Sequence, residues 1–366
     1  MNLFPSSQSV YDALRASGKP LRRLGGTLGG EDIVCAETGG NRLPAILVTA
    51  GAHSPEVAGV LAALRVLEEI STNHKTYVVP MRDPFGFNDF DHCLSVLLDR
   101  PVTVRSHADC TTLLERHGTV LLRDATLCLA VVGEVGIVSM DSGDEPMGFD
   151  WILSRLVSHL AKNASVAERM RGRRFFVPAG MPSSEGAGRY GRTYTGVVSP
   201  EGQMLSLSQF FGRPDAPVEV SCLDALIQEV RPGLTFDCHE DFGRESYFPA
   251  RRHPEQPDRG ERIVLAMRQA LVEAGHPLAE FEQFVARARL YRPYWKPYHR
   301  PSGMSGLFWT DGLLRSIGFN LADYALKFGF SMPIETGAEA PLASRVDCHT
   351  RAVLAGVAAF EDDPHP

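Results

Sequence analysis

The chain has 366 residues, 44% of them hydrophobic and 22% charged, with a formal net charge of −7. That suits a globular protein with one large α/β domain or two smaller ones, and the acidic balance argues against a general nucleic-acid binder. No apolar run reaches the roughly 18 residues of a membrane span, and the N-terminal stretch lacks the basic-then-apolar form of a signal peptide, so no membrane partner and a cytoplasmic location are expected.

Seven cysteines are scattered along the chain without a C-x-x-C pair, which points to free thiols in a reducing compartment rather than a disulfide framework.

Residues 1–30 read as a lead-in with a short helix near 10–17, ahead of the turn-rich run 25–30. A strand near 32–37 follows. The wholly apolar Ala45-Ile46-Leu47-Val48 reads as a buried strand. Ser54 suits a helix N-cap and Pro55 the first helical position. Val57, Val60, Leu61, Leu64 and Leu67 then recur at helical spacing to about residue 70. Another short strand at 76–80 completes a βαβ-like unit. The fold class this predicts is α/β, with a mixed, mostly parallel central sheet and helices on both faces.

Further on, short strands are expected at 128–132 and 136–140 and a helix at 151–161. The Gly-, Pro- and Ser-rich stretch 178–214 reads as mostly loop. A helix over 219–230 precedes the apolar strand opening at Leu234. Helices near 261–274, 321–327 and 345–360, an aromatic loop between Tyr291 and Trp309, and a strand at 331–335 complete the chain.

Three places carry candidate chemistry. His53 sits at the mouth of the first buried strand, with Glu56 three residues on. An imidazole and a carboxylate so spaced can converge on one point, as two of the three protein ligands in a His₂Glu zinc site. The plainer alternative is an acidic first turn that suits the helix dipole. His239 ends the strand opened by Leu234, at the edge where open α/β sheets place ligand sites. Asp237 and Glu240 flank it and could orient its ring; an ordinary strand-end histidine is the alternative. Glu335 also ends a strand, where a carboxylate could act as a general base or be a plain surface acid before a turn.

Taken in order, His53, Glu56, His239 and Glu335 resemble the zinc carboxypeptidase superfamily, which includes the aspartoacylase-like deacylases. That family places His-x-x-Glu after a strand, a second His after another strand, and a Glu near the C-terminus. Asp83-Pro84-Phe85-Gly86-Phe87 is similar to its Asn-Pro-Asp-Gly-aromatic turn. Gly191-Arg192-Thr193-Tyr194-Thr195-Gly196 resembles the segment whose arginine holds the substrate carboxylate, although Gly191 stands where the family has Asn.

The resemblance implies one zinc per chain held by His53, Glu56 and His239, with Glu335 as the base. It implies Arg192 as a bidentate carboxylate anchor. It also implies an oxyanion-stabilising arginine, for which Arg174 is the first candidate and Arg189 the second; a solvated arginine is the alternative for both. Tyr324, placed on a helix, takes no substrate role. The long separation of Gly86 from Arg192 implies an insertion at about 95–180 in a catalytic domain spanning 31–366.

The activity implied is hydrolysis of an amide bond next to a free carboxylate. A metallocarboxypeptidase acting on peptides comes first and an N-acyl-amino-acid deacylase second. A non-catalytic binding protein on the same fold is the rival from another class.

Overall fold

The computed structural model describes residues 6–141, 149–179, 190–291, 299–310 and 319–362. Its centre is a six-stranded sheet built from β1 (Leu21–Gly26), β2 (Asp32–Gly39), β3 (Arg42–Ala50), β4 (His74–Val79), β11 (Leu234–Asp241) and β15 (Phe330–Gly337), in the order β1-β2-β4-β3-β11-β15. Strands β4, β3, β11 and β15 run parallel, while β1 and β2 add an antiparallel edge. The sheet is therefore mixed. Residues read as part of the lead-in form β1, because its backbone pairs with β2.

Side chains of a strand alternate between faces, and both faces here are apolar. Ile46 and Val48 pack with helices Val57–Glu69, Pro257–Glu273 and Leu342–Glu361 on one side. Ala45 and Leu47 pack with helix Val218–Val230 and Tyr324 on the other. The continuous apolar run that marked this strand in the sequence follows from that double burial.

A second six-stranded sheet holds β5 (Thr119–Arg123), β6 (Leu127–Val132), β7 (Val135–Met140), β8 (Arg174–Pro178), β9 (Thr193–Val198) and β10 (Met204–Ser206) in the order β10-β9-β8-β7-β6-β5. Only β7 and β8 pair in parallel. Most of the stretch expected as an insertion lies in this sheet and its helices, and β9 and β10 extend it into the region expected to be loop. Strand β9 is buried along its whole length. Its Gly196 lies against the Phe175 ring, where an added Cβ would sit 2.2 Å from the ring. The glycine there serves close packing, not a turn.

A small third sheet pairs β12 (Phe248–Ala250) and β13 (His299–Pro301) with β14 (Leu307–Thr310) between them. Much of the expected aromatic loop lies outside the described residues. Among the described residues, no helix is long and apolar enough to cross a membrane.

Candidate metal centre

The parallel strands β3, β11 and β15 deliver their C-terminal ends to one cavity of about 240 Å³. His53 lies just past β3, His239 near the end of β11, and Glu335 is register-paired with His239 on β15. All three line the cavity together with Glu56. A one-residue slip of β15 would turn Glu335 to the other face.

His53 Nδ1 lies 2.7 Å from Glu56 Oε1, and His239 Nδ1 lies 2.9 Å from Glu56 Oε2. The ligand atoms of the three residues all fall within 4.8 Å of one another. Two imidazole nitrogens and a carboxylate oxygen suit a borderline-soft divalent cation such as zinc, and the spacing brings them to a common point. The set fits a metal.

Its surroundings favour that use. Asp237 Oδ2 lies 2.9 Å from His239 Nε2, and Arg82 Nη1 donates to the other Asp237 oxygen at 3.0 Å. Burial pushes the Glu56 carboxyl up, but the His53 and His239 imidazoles outweigh it and hold it at about 2. Burial also disfavours an ionised Asp237, yet His239 and Arg82 keep it well below the usual carboxylate range. For His239, burial is outweighed by Asp237 and Glu56, so its imidazolium form persists well above the ordinary histidine range. A metal binding there displaces that proton.

The helix after Glu56 starts differently from the sequence expectation. Ser54 does not cap it: its hydroxyl donates to the Thr193 carbonyl on β9, which ties the second sheet to the site. Glu56 holds the N-cap position of helix Val57–Glu69 without a capping bond of its own, since its carboxylate faces the two histidines. Glu240 takes over the capping, its Oε1 accepting from Ala58 N at 2.7 Å. Its Oε2 bonds the buried Arg345 of the last helix.

The arginines lie elsewhere. Arg174 is bound bidentately by Glu219 and does not line the cavity, because its guanidinium is committed to that buried carboxylate. Arg192 is also not among the lining residues. It is 4% exposed, lies 4.7 Å over the Phe87 ring, and donates to the Gly191 carbonyl at 3.0 Å. Burial lowers its pKa to about 10. Arg189 lies outside the described residues. Tyr324 is buried and donates to Asp224 at 2.5 Å, away from the cavity. Asp83 caps the short helix Pro84–Phe87 by accepting from Gly86 N, which gives the family-like turn a structural task.

Among the cavity residues that the sequence reading did not single out are Tyr194, Tyr247, Arg251 and His299. Tyr194 lies inside the segment quoted for Arg192, with its ring edge-on to His53 at 6.5 Å. Tyr247 reaches the site because its backbone bridges that of Glu335 and its hydroxyl donates to Asp241 at 2.7 Å. Arg251 and His299 belong to the small third sheet and its margin, which no local pattern announced.

No protein-family profile matches the chain, and no curated protein matches it in sequence. Among solved structures, a protein from Shewanella denitrificans OS217 that is provisionally named a metallopeptidase matches with a TM-score of 0.51. That match has 14% identity and covers 96% of this chain and 89% of the other. A metallo-carboxypeptidase from Burkholderia cenocepacia aligns more loosely, with a TM-score of 0.48, 9% identity and coverage of 98% and 69%. So does the carboxypeptidase A from Helicoverpa armigera, at 0.46, 12%, 99% and 75%. At 14% identity the likeness is one of fold alone.

Proposed function

We propose that this chain is a zinc-dependent hydrolase that cleaves an amide bond close to a free carboxylate, acting as a carboxypeptidase on peptides. The observation that carries the reading is the convergence of His53, Glu56 and His239 on one point, with Glu335 beside His239 on the neighbouring strand and facing the same cavity. Bound zinc supplies Lewis-acid polarisation of the scissile carbonyl and a more acidic water.

The chain's own residues do the rest. Glu335 takes the proton from the attacking water and passes it to the departing amine. Asp237 fixes the His239 ring so that Nδ1 points at the ligand position, and Arg82 holds Asp237 in turn. Asp237, His239 and Glu335 sit on strands of the central sheet, which are rigid elements, while His53 and Glu56 lie in the turn between β3 and helix Val57–Glu69.

The test is metal analysis of the purified protein, then a screen of free-acid peptides, their C-terminal amides and N-acyl amino acids. His239→Ala should lose most of the metal while remaining folded. Zinc retained at full occupancy in that variant overturns the ligand assignment. Turnover of N-acyl amino acids in preference to peptides transfers the reading to a deacylase.

A further inference from the structure

Beside the metal cavity runs a larger groove of about 810 Å³, and Arg251 and Thr310 line both spaces. Among the described residues of its lining are four cations, Arg251, Arg252, Arg300 and Lys327, against a single carboxylate, Asp323. That carboxylate is already engaged by Arg251 Nε, while Arg251 Nη1 donates to the Pro249 carbonyl at 3.0 Å. Arg252 lies 4.5 Å over the Trp309 ring, and Lys327 lies 4.0 Å from the Phe319 ring centroid. These aromatic faces hold the two cations at the groove wall. The whole chain carries a net charge of −7, so the positive groove is a local feature and not part of a generally basic surface.

We propose that this groove is the continuation of the substrate site and binds acidic side chains upstream of the scissile bond, making the preferred substrate a peptide with an acidic C-terminal region. The inference rests on the peptidase reading. It rests also on geometry: a chain whose free end enters a cavity of about 240 Å³ must leave through an adjoining space, and this groove shares two wall residues with that cavity. A carboxylate-bearing segment meets complementary charge there, which sets partner choice more than raw affinity. A nucleic-acid strand would meet the same cations and aromatics, but the shared wall directs the groove to whatever enters the metal cavity.

The experiment measures binding, so it does not depend on turnover. Fluorescence anisotropy compares a labelled alternating Gly-Glu peptide with its Gly-Gln counterpart, both with free C-termini, on full-length Glu335→Gln protein. The acidic peptide should bind on the order of 10-fold more tightly at low salt, with the gap closing as salt rises. Arg252→Glu and Lys327→Glu should each reduce that preference sharply, with folding checked by circular dichroism, and Arg252→Lys should keep most of it. Equal binding of the two peptides overturns the inference, as does a preference that survives both charge reversals. Tighter binding of a single-stranded oligonucleotide than of the acidic peptide also overturns it. If the acidic preference holds but the wild-type, metal-loaded protein cleaves neither peptide, the peptidase reading fails while the groove's selectivity for acidic chains stands.

Discussion

Asp237 and His239 project from the same face of β11, two residues apart, and Asp237 Oδ2 lies 2.9 Å from His239 Nε2. That contact decides which imidazole nitrogen is left for a metal. With Nε2 donating to the carboxylate, Nδ1 is the nitrogen left for the proposed metal, and Nδ1 is the atom that lies beside Glu56. Asp237→Asn keeps the shape and removes the charge that makes the ring basic. Metal affinity should fall about 10- to 100-fold, the usual cost of losing such a partner. Competition against a chelating dye reads this directly, and an unchanged affinity removes Asp237 from the site's support.

Glu335 is placed in the cavity by its register with His239, and a general base is not a metal ligand. Glu335→Gln should therefore retain the metal and lose roughly 10²–10⁴ in kcat, the range typical of general acid–base catalysis. Turnover near the wild-type value would assign the base elsewhere in the cavity. Loss of metal from the variant would make Glu335 a ligand.

Parts of this site were legible in the sequence because they depend on local order. An apolar strand places the polar residue at or just past its end at the sheet's C-terminal edge, and this holds for His53, His239 and Glu335. Other features depend on partners far along the chain. Ser54 looks like a cap until its hydroxyl finds Thr193, 139 positions away. Arg174 looks like a free cation until Glu219 takes it. Strand β9 looks like loop because Gly196 reads as a breaker, yet that glycine makes room for Phe175. Local pattern cannot show which of two roles a polar or small residue fills when tertiary packing chooses.

Buried titratable groups near the site set its acid stability. The His349 ring is fully buried, with Nε2 3.0 Å from Thr336 Oγ1 next to Glu335 in sequence. Burial, with His239 adding to it, pushes its pKa down to about 3. In the unfolded chain a histidine titrates near 6.5, so the unfolded state takes up the proton first. The stability this group contributes is complete above about pH 6.5 and is lost as pH falls toward 3, at up to about 1.4 kcal/mol per pH unit. His349→Gln can still bond Thr336 but does not titrate in this window. Its Tm should fall less steeply between pH 6 and about 4 than that of the wild type; parallel Tm curves would mean that His349 is not the acid-sensitive group.

Glu240 joins three parts of the structure: β11 beside His239, the start of helix Val57–Glu69 through Ala58 N at 2.7 Å, and the last helix through Arg345. Glu240 and Arg345 are 4% and 1% exposed. Burial and the nearby Glu56 push the Glu240 carboxyl up. The Arg345 guanidinium bonded to it, itself donating to the Ala340 carbonyl at 2.9 Å, opposes that shift and favours a buried ion pair. Such a pair adds little stability over an apolar substitute, but removing one partner leaves a charge buried alone. Glu240→Ala should therefore cost about 3–5 kcal/mol from the stranded guanidinium, with roughly 1 kcal/mol more from the lost helix cap. Urea unfolding should show a lower midpoint with an unchanged slope. The double variant Glu240→Ala with Arg345→Leu removes the stranded charge and should recover most of the first term but not the cap. Because the helix start carries Glu56 and the strand carries His239, metal affinity should drop in the single variant and return only in part in the double. A double variant as unstable as the single one would show that the cap, not the ion pair, holds this corner of the site together.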